Sequence, residues 1–237
     1  MTRAVLTFHS IDDSGSVLSF PPRSFARLIE RLAATKTPVV TFDELSQRDH
    51  GVTITFDDGM RSVYEHALPV LREHGFAAHL FLVTGRVGRD WPSRLAKDGK
   101  FEMVEWSDVE ECAHSGIRIE CHTATHPDLR NIIPQRILDE CQSADDEIEL
   151  RIGRRPTLMA FPFGSFDDAV IGLIGPRYRA CFTTRLGYLT RKIDFARVPR
   201  LDAYYLQAPF WNEHLLSAPT RGYLALRAAI RAVRGAT

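Results

Sequence analysis

The chain has 237 residues, a length that fits one domain or at most two. Hydrophobic residues at 44% and charged residues at 25%, with only 15 Gly and 13 Pro, are ordinary globular composition and exclude collagen, coiled coil and wholesale disorder. Thirty Lys and Arg balance thirty Asp and Glu, so no excess of positive charge drives counterion release, and nucleic acid is not an expected partner.

The opening MTRAVLTFHSIDD contains a β-rich run at 4–8 and reaches Asp12 and Asp13 before a signal-type apolar region is completed, which predicts a cytoplasmic location. Phe25, Leu28, Ile29 and Leu32 then recur at helical spacing. Short β-rich runs follow at 38–42 and 52–56. A helix through Val63, Ala67, Val70 and Leu71 is expected to close at Gly75 as its C-cap. The run 77–83 is the next strand, and the apolar stretch 76–83 is interrupted by His79. No segment approaches the roughly 18 apolar residues of a membrane span.

Ser107, with Glu110 three residues on, predicts a capping box for a helix ending at Gly116. Strands at 117–120, 157–161 and 180–184 flank a longer helix carrying Ile137, Leu138, Cys141, Ala144 and Ile148. Strand and helix alternating in this way imply an α/β fold of βα units around a parallel sheet, with a TIM-like barrel preferred over a sandwich. The expected division is a single barrel over 1–210 with a C-terminal helical extension, 211–237, packed on it. In that extension Arg227, Arg231 and Arg234 share one helical face opposite Leu226, Ala229, Ile230 and Val233. The plain expectation is a capping helix with its basic face in solvent, and the sharper one is contact with a membrane surface or glycan. Cys112, Cys121, Cys141 and Cys181 form no Cys-x-x-Cys pair, so they are expected as core thiols rather than zinc ligands or a disulfide framework.

Three motifs carry chemistry. Asp57-Asp58-Gly59 follows the run VTITF; alone, Asp-Gly is a turn signal. His122-Thr-Ala-Thr-His126 follows IRIE, and two imidazoles at this spacing can close on one cation with an aspartate from elsewhere. No Glu lies between them, as a His-Glu-x-x-His site would require, so a base must come from another segment, and Asp57 is the candidate. Phe161-Pro162-Phe163-Gly164 also follows a strand, where a constrained turn can offer the Phe163 N–H to a developing oxyanion. All three fall at strand exits, where barrel active sites lie.

TFDDG (55–59), HTATHPDL (122–129) and FPFG (161–164), in this order, resemble the polysaccharide deacetylases, carbohydrate esterase family 4, also called the NodB homology domain. The resemblance covers roughly residues 4 to 205. It implies a distorted (β/α) barrel, Asp57 as general base, and Asp58, His122 and His126 as ligands of a divalent metal, usually Zn2+ with Co2+ or Ni2+ as alternatives. It further implies Phe163 as oxyanion donor and removal of acetyl from an N-acetylated sugar or polysaccharide; the expected cytoplasmic location favours a precursor or lipid-linked sugar.

Two positions depart from the family pattern. The third motif normally opens with an Arg that pairs with the base, but here that position is Ala160, and Arg200 in the VPR segment is the expected substitute. The late Leu-x-His motif that supplies the acid has no match; His214 is the only histidine beyond His126. The opening LTFHSID is similar to a subgroup of exopolysaccharide deacetylases in which an N-terminal His does that work, which makes His9 the candidate acid. His66, His74, His79 and His114 are expected to be structural or solvated, Cys121 to pack, Trp106 to lie in the core, and Trp91 and Trp211 are left open as sugar platforms. Hydrolysis of an O-acetyl ester or another amide, and non-catalytic glycan binding, are the alternatives, because a fold does not fix a substrate. Oligomeric state is not legible.

Overall fold

The computed structural model describes residues 2–233. In chain order the elements are β1 (Arg3–Phe8), α1 (Pro22–Ala34), α2 (Phe42–Ser46), β2 (Gly51–Asp58), a single π-helical turn (Val63–Ala67) running into α3 (Leu68–His74), and β3 (Ala78–Leu82). A short antiparallel hairpin of β4 (Trp91–Pro92) and β5 (Lys100–Phe101) precedes α4 (Trp106–His114), β6 (Ile117–Cys121), α5 (Pro134–Ile152) and β7 (Leu158–Ala160). Then come α6 (Asp168–Ile174), β8 (Ala180–Leu186), β9 (Val198–Asp202), α7 (Pro209–Glu213) and α8 (Ala218–Val233). Seven parallel strands close into a barrel in the order β1-β2-β3-β6-β7-β8-β9, with β9 pairing back onto β1. The α/β barrel expected from the sequence is the fold.

Side chains alternate across each strand, so every barrel strand presents one set to the helices and one to the interior. On β1, Ala4, Leu6 and Phe8 join the outer core with Phe20 and Phe25, whereas Val5 belongs to the interior cluster with Phe81, Ala160 and Phe182. On β2 the outward set is Val52, Ile54 and Phe56, which leaves Thr53, Thr55 and Asp57 facing in. Phe8 meets Phe20, Phe25 and Phe56 at ring separations of 5.1, 5.3 and 5.7 Å. Full burial of each such ring contributes about 1.5–3 kcal/mol, so this outer packing fixes the register that turns Asp57 inward.

Three details differ from expectation. Residues 38–42 form no barrel strand: only Val39 bridges to Val52, because Pro38 has no N–H to donate and Thr41 instead caps α2 in a capping box with Glu44. The seventh strand is β9, which carries Arg200 at its centre. Helix α4 starts before Ser107; its first turn is closed by the Asp108 carboxylate, which accepts the Glu105 N–H at 2.9 Å.

The C-terminal helix also reverses the expected faces. Thr220 and Leu224 are its buried residues, Tyr223 stacks on Trp211 at 4.3 Å, and the Arg227 guanidinium lies 4.9 Å over the Tyr205 ring. Leu226, Ala229 and Val233 are exposed instead. An aromatic ring on the barrel side attracts the guanidinium, and the long arginine stems supply apolar contact on that side. Arg234 and the last residues of the 211–237 extension lie outside the described residues.

Candidate active site

The uppermost inward positions of several strands converge. Asp57, buried at the end of β2, is gripped by Arg200 of β9: Nη1 donates to Oδ1 and Nη2 to Oδ2, both at 2.7 Å. Arg200 is itself buried and also donates from Nε to the Thr183 carbonyl at 3.0 Å. Ala160 has no charged group to offer, and the arginine that pairs with Asp57 comes from a strand 143 residues further along the chain. Such a two-pronged pair orients the carboxylate as well as holding it ionised. His9, just past β1, places Nε2 3.9 Å from Asp57 Oδ2.

Asp58 sits at φ 73°, a left-handed conformation that turns its side chain out of strand alternation and toward the histidines. Gly59 follows at φ 94°, a conformation strained for any residue with a side chain, and an added Cβ would stand 2.6 Å from Leu82 Cδ1, so the turn favours glycine. His122 Nε2 and His126 Nε2 approach the same Asp58 Oδ1 at 3.4 and 3.5 Å. His122 Nδ1 bonds the Ala160 carbonyl at 2.7 Å, which points Nε2 at Asp58.

The His122–His126 loop bends sharply, with Thr123 and His126 at φ 66° and 61°. It is held from two sides. Gly85 donates its N–H to the Ala124 carbonyl at 2.8 Å, and a Cβ there would strike that oxygen at 2.6 Å. From α5, the buried Glu140 accepts the Thr125 N–H at 2.7 Å and the Thr125 hydroxyl at 2.8 Å, and its own carbonyl accepts the Ala124 N–H at 3.1 Å. Sequence reading missed Glu140. The signal was a carboxylate three residues after Ile137 and next to Cys141, on the stripe that faces the core.

Electrostatics follow from burial against charge. Burial alone would raise the Asp57 pKa, but the charge of Arg200, then His122, outweighs it and holds the carboxyl below the usual range. Burial likewise opposes ionisation of Asp58, yet the His122 hydrogen bond and nearby imidazoles depress it strongly. His122 is raised despite burial because both aspartates favour its charged form. His126 falls to about 4 through burial and repulsion from His122. His126 is therefore a neutral imidazole near neutrality.

These groups line a cleft of about 460 Å³. His9 and Phe163 border it with Asp57, Asp58, His122 and His126. Phe163 holds φ 59° and its exposed ring lies 4.5 Å from His126. Trp91 forms another edge, 5.1 Å from His126, while Trp211 is taken up against Tyr223 and Trp106 packs partly buried under Arg151. His66 and His114 are exposed, His74 half-buried, and His214 bonds its own helix at the Phe210 carbonyl. His79 is buried away from the cleft and accepts the Phe42 N–H at 3.0 Å. All four cysteines are buried free thiols, and Cys121 meets the Tyr178 hydroxyl at 3.2 Å.

Ligand atoms of Asp58, His122 and His126 all lie within 4.8 Å of one another. His122 is oriented by a backbone carbonyl, the arrangement that supports metal-bound histidines, whereas His126 Nδ1 is buried without a partner. Two imidazoles and one carboxylate are a donor set for zinc, cobalt or nickel. The residues fit a divalent cation.

Comparison with known proteins agrees in position and fold. The polysaccharide deacetylase profile matches residues 44–174. The Bacillus subtilis protein YxkH, provisionally named as a polysaccharide deacetylase, is 28% identical over 175 residues, which cover 70% of this chain and 58% of YxkH. The poly-beta-1,6-N-acetyl-D-glucosamine N-deacetylase of Staphylococcus aureus is 25% identical over 134 residues, 52% of this chain and 43% of the relative. The chain therefore spans about half the length of these curated relatives. IcaB from Ammonifex degensii superimposes with a TM-score of 0.74 at 23% identity, covering 90% of this chain and 97% of IcaB. The Streptococcus pyogenes deacetylase PplD, solved with acetate, gives 0.74 at 19% identity and coverages of 85% and 92%. With more than half of its length matched by the profile, and with that profile spanning Asp57, Asp58, both histidines and Phe163, the chain belongs to the polysaccharide deacetylase family.

Proposed function

We propose that this protein hydrolyses the N-acetyl group of an N-acetylated sugar or polysaccharide, with a divalent cation held by Asp58, His122 and His126. The observation that carries the reading is the pairing of a buried Asp57, fixed and kept ionised by Arg200, with the adjacent three-ligand cluster in one cleft. Zinc is the expected ion, and cobalt or nickel suit the same donors. When bound, the cation supplies Lewis-acid polarisation and a lower pKa for water. Asp57 accepts the proton of the attacking water, and Arg200 keeps its two oxygens aimed into the cleft. The Phe163 N–H stabilises the oxyanion of the tetrahedral intermediate, an interaction worth about 3–4 kcal/mol for a single donor. His9, on the cleft wall beside Asp57, gives a proton to the departing amine, which as a free anion would not leave. The products are acetate and a free amino sugar.

Similarity to the S. aureus poly-beta-1,6-N-acetyl-D-glucosamine N-deacetylase supports an N-acetylated sugar polymer as the substrate class here. A panel of N-acetylglucosamine oligomers, lipid-linked N-acetyl sugars and O-acetylated sugars tests it. Acetate release from N-acetyl substrates, lost on Asp57→Asn, is expected. Release from O-acetyl esters alone would replace the reading with an esterase, and saccharide binding without release would leave a glycan-binding relative.

A further inference from the structure

Helix α8 is docked with its polar edge inward. Thr220 and Leu224 are buried, and Tyr223, Arg227 and Arg231 fill the partly covered side, with both guanidinium groups over Tyr205 at 4.9 and 6.0 Å. At 100° per residue, the opposite face gathers Gly222, Ala225, Leu226, Ala229, Ala232 and Val233. Every one of these is exposed, Leu226 at 61% and Val233 at 89%, and the half-buried Ile230 borders them. Surface helices ordinarily show the reverse arrangement. A contiguous apolar helix face turned to solvent is the mark of a surface that something covers.

Charge says what covers it. From His214 to the C-terminus the sequence has four arginines, Arg221, Arg227, Arg231 and Arg234, and no acidic residue or lysine. The whole chain is neutral, so this segment's charge of +4 is offset by −4 over the remaining residues. Arg221 is exposed at the border of the apolar face. A second copy seated on this face would bring two segments of the same positive charge together. Apolar residues on one helix face with the exposed Arg221 at its border, in a segment of net positive charge, fit instead the interface of an anionic lipid layer, where tails take the apolar side chains and headgroups the Arg221 guanidinium. We propose that the outer face of α8, centred on Leu226, Ala229 and Val233, docks the protein peripherally on an anionic lipid surface. The last described turn of the helix also reaches the catalytic cleft, where Arg231 forms part of the wall, so this docking holds the cleft beside the lipid.

The proposal is independent of the deacetylase reading, because binding is measured without turnover. The full chain is sedimented with vesicles of phosphatidylcholine alone and of phosphatidylcholine mixed equally with phosphatidylglycerol. Binding to the anionic vesicles only, weakened by salt and reduced about tenfold or more in Leu226→Glu/Val233→Glu, is the expected result. All four positions used here are exposed, and Ala225→Glu/Ala229→Glu serves as a second variant that must behave alike; circular dichroism and acetate release from soluble oligomers should not change in either. No binding to anionic vesicles, or binding that both variants retain, would overturn the proposal. So would a concentration-dependent dimer abolished by the same substitutions, which would give the face to a second copy.

Discussion

The barrel holds two sets of histidine, carboxylate and arginine, an upper one around the buried Asp57 at the end of β2 and a lower one around the buried Glu120 beside the start of β7. In the lower set Glu120 Oε1 takes the Arg154 guanidinium at 2.9 Å, and Oε2 takes the N–H groups of Thr157 and Leu158 at 2.9 and 3.0 Å. His79 lies 3.5 Å from Glu120 and accepts the Phe42 N–H. This set ties β3, β6, α2 and the turn before β7 together, and its carboxylate has no face toward a cleft. The upper set, His9, Asp57 and Arg200, adjoins Asp58 and two imidazoles whose Nε2 atoms face a single oxygen, all bordering the cleft. Buried charge is therefore not what distinguishes a site from a scaffold. Three ligand atoms converging within 4.8 Å of one another, and opening onto a cavity, are.

The sharpest way to break this contrast is Asp57→Asn. Loss of a general base costs about 10²–10⁴-fold in turnover, while bound zinc or cobalt should stay stoichiometric because Asp57 is not a proposed ligand. Metal loss in this variant, read by elemental analysis, would merge the roles we keep apart. Next in size is Glu120→Ala in the lower set. It strands Arg154 and two backbone N–H groups, so denaturation should show a loss of about 3–5 kcal/mol, with turnover per folded molecule nearly unchanged. A large drop in turnover at full folding would erase the distinction between the two ends.

Glu140→Ala sharpens the comparison from the side, since this carboxylate works for the upper site through Thr125. Weaker cobalt binding by about 10–100-fold is expected, with an altered visible absorption spectrum and partial recovery in Glu140→Gln. Unchanged cobalt affinity would make Glu140 part of the scaffold only.

The smallest effect is in pH. Burial would raise Glu120, but the His79 and Arg154 contacts outweigh it and hold its folded pKa below the usual value of 4.5. Its stabilising contribution is thus complete above about pH 4.5 and lost as pH falls through the lower folded value. Glu120→Gln should flatten that part of the acid unfolding curve, measured by urea midpoints between about pH 5 and 3. An unaltered slope would mean that other carboxylates carry the acid limb.

Much of the upper site was legible because local pattern sets it. Val52, Ile54 and Phe56 alternate outward, which forces Asp57 inward, and the histidine spacing is contained within one loop. Arg200 was legible only as a candidate, since its contact with Asp57 joins the two ends of the chain. Glu120 and Glu140 read as ordinary charged residues because their partners, Arg154, Thr157 and Thr125, are set by how strands and helices assemble. The faces of α8 were misassigned for a related reason. Periodicity gave the two faces correctly, but Tyr205 and Trp211, distant in pattern though near in sequence, decided which one turned inward.

The most direct test of the upper site is acetate release from short N-acetylglucosamine oligomers by metal-stripped protein, with and without added zinc or cobalt, beside Asp57→Asn loaded with the same metal. Release that requires the metal and vanishes in the loaded variant is the predicted result. Release without metal, or equal release from Asp57→Asn, would contradict the assignment of Asp58, His122 and His126 as ligands and of Asp57 as base.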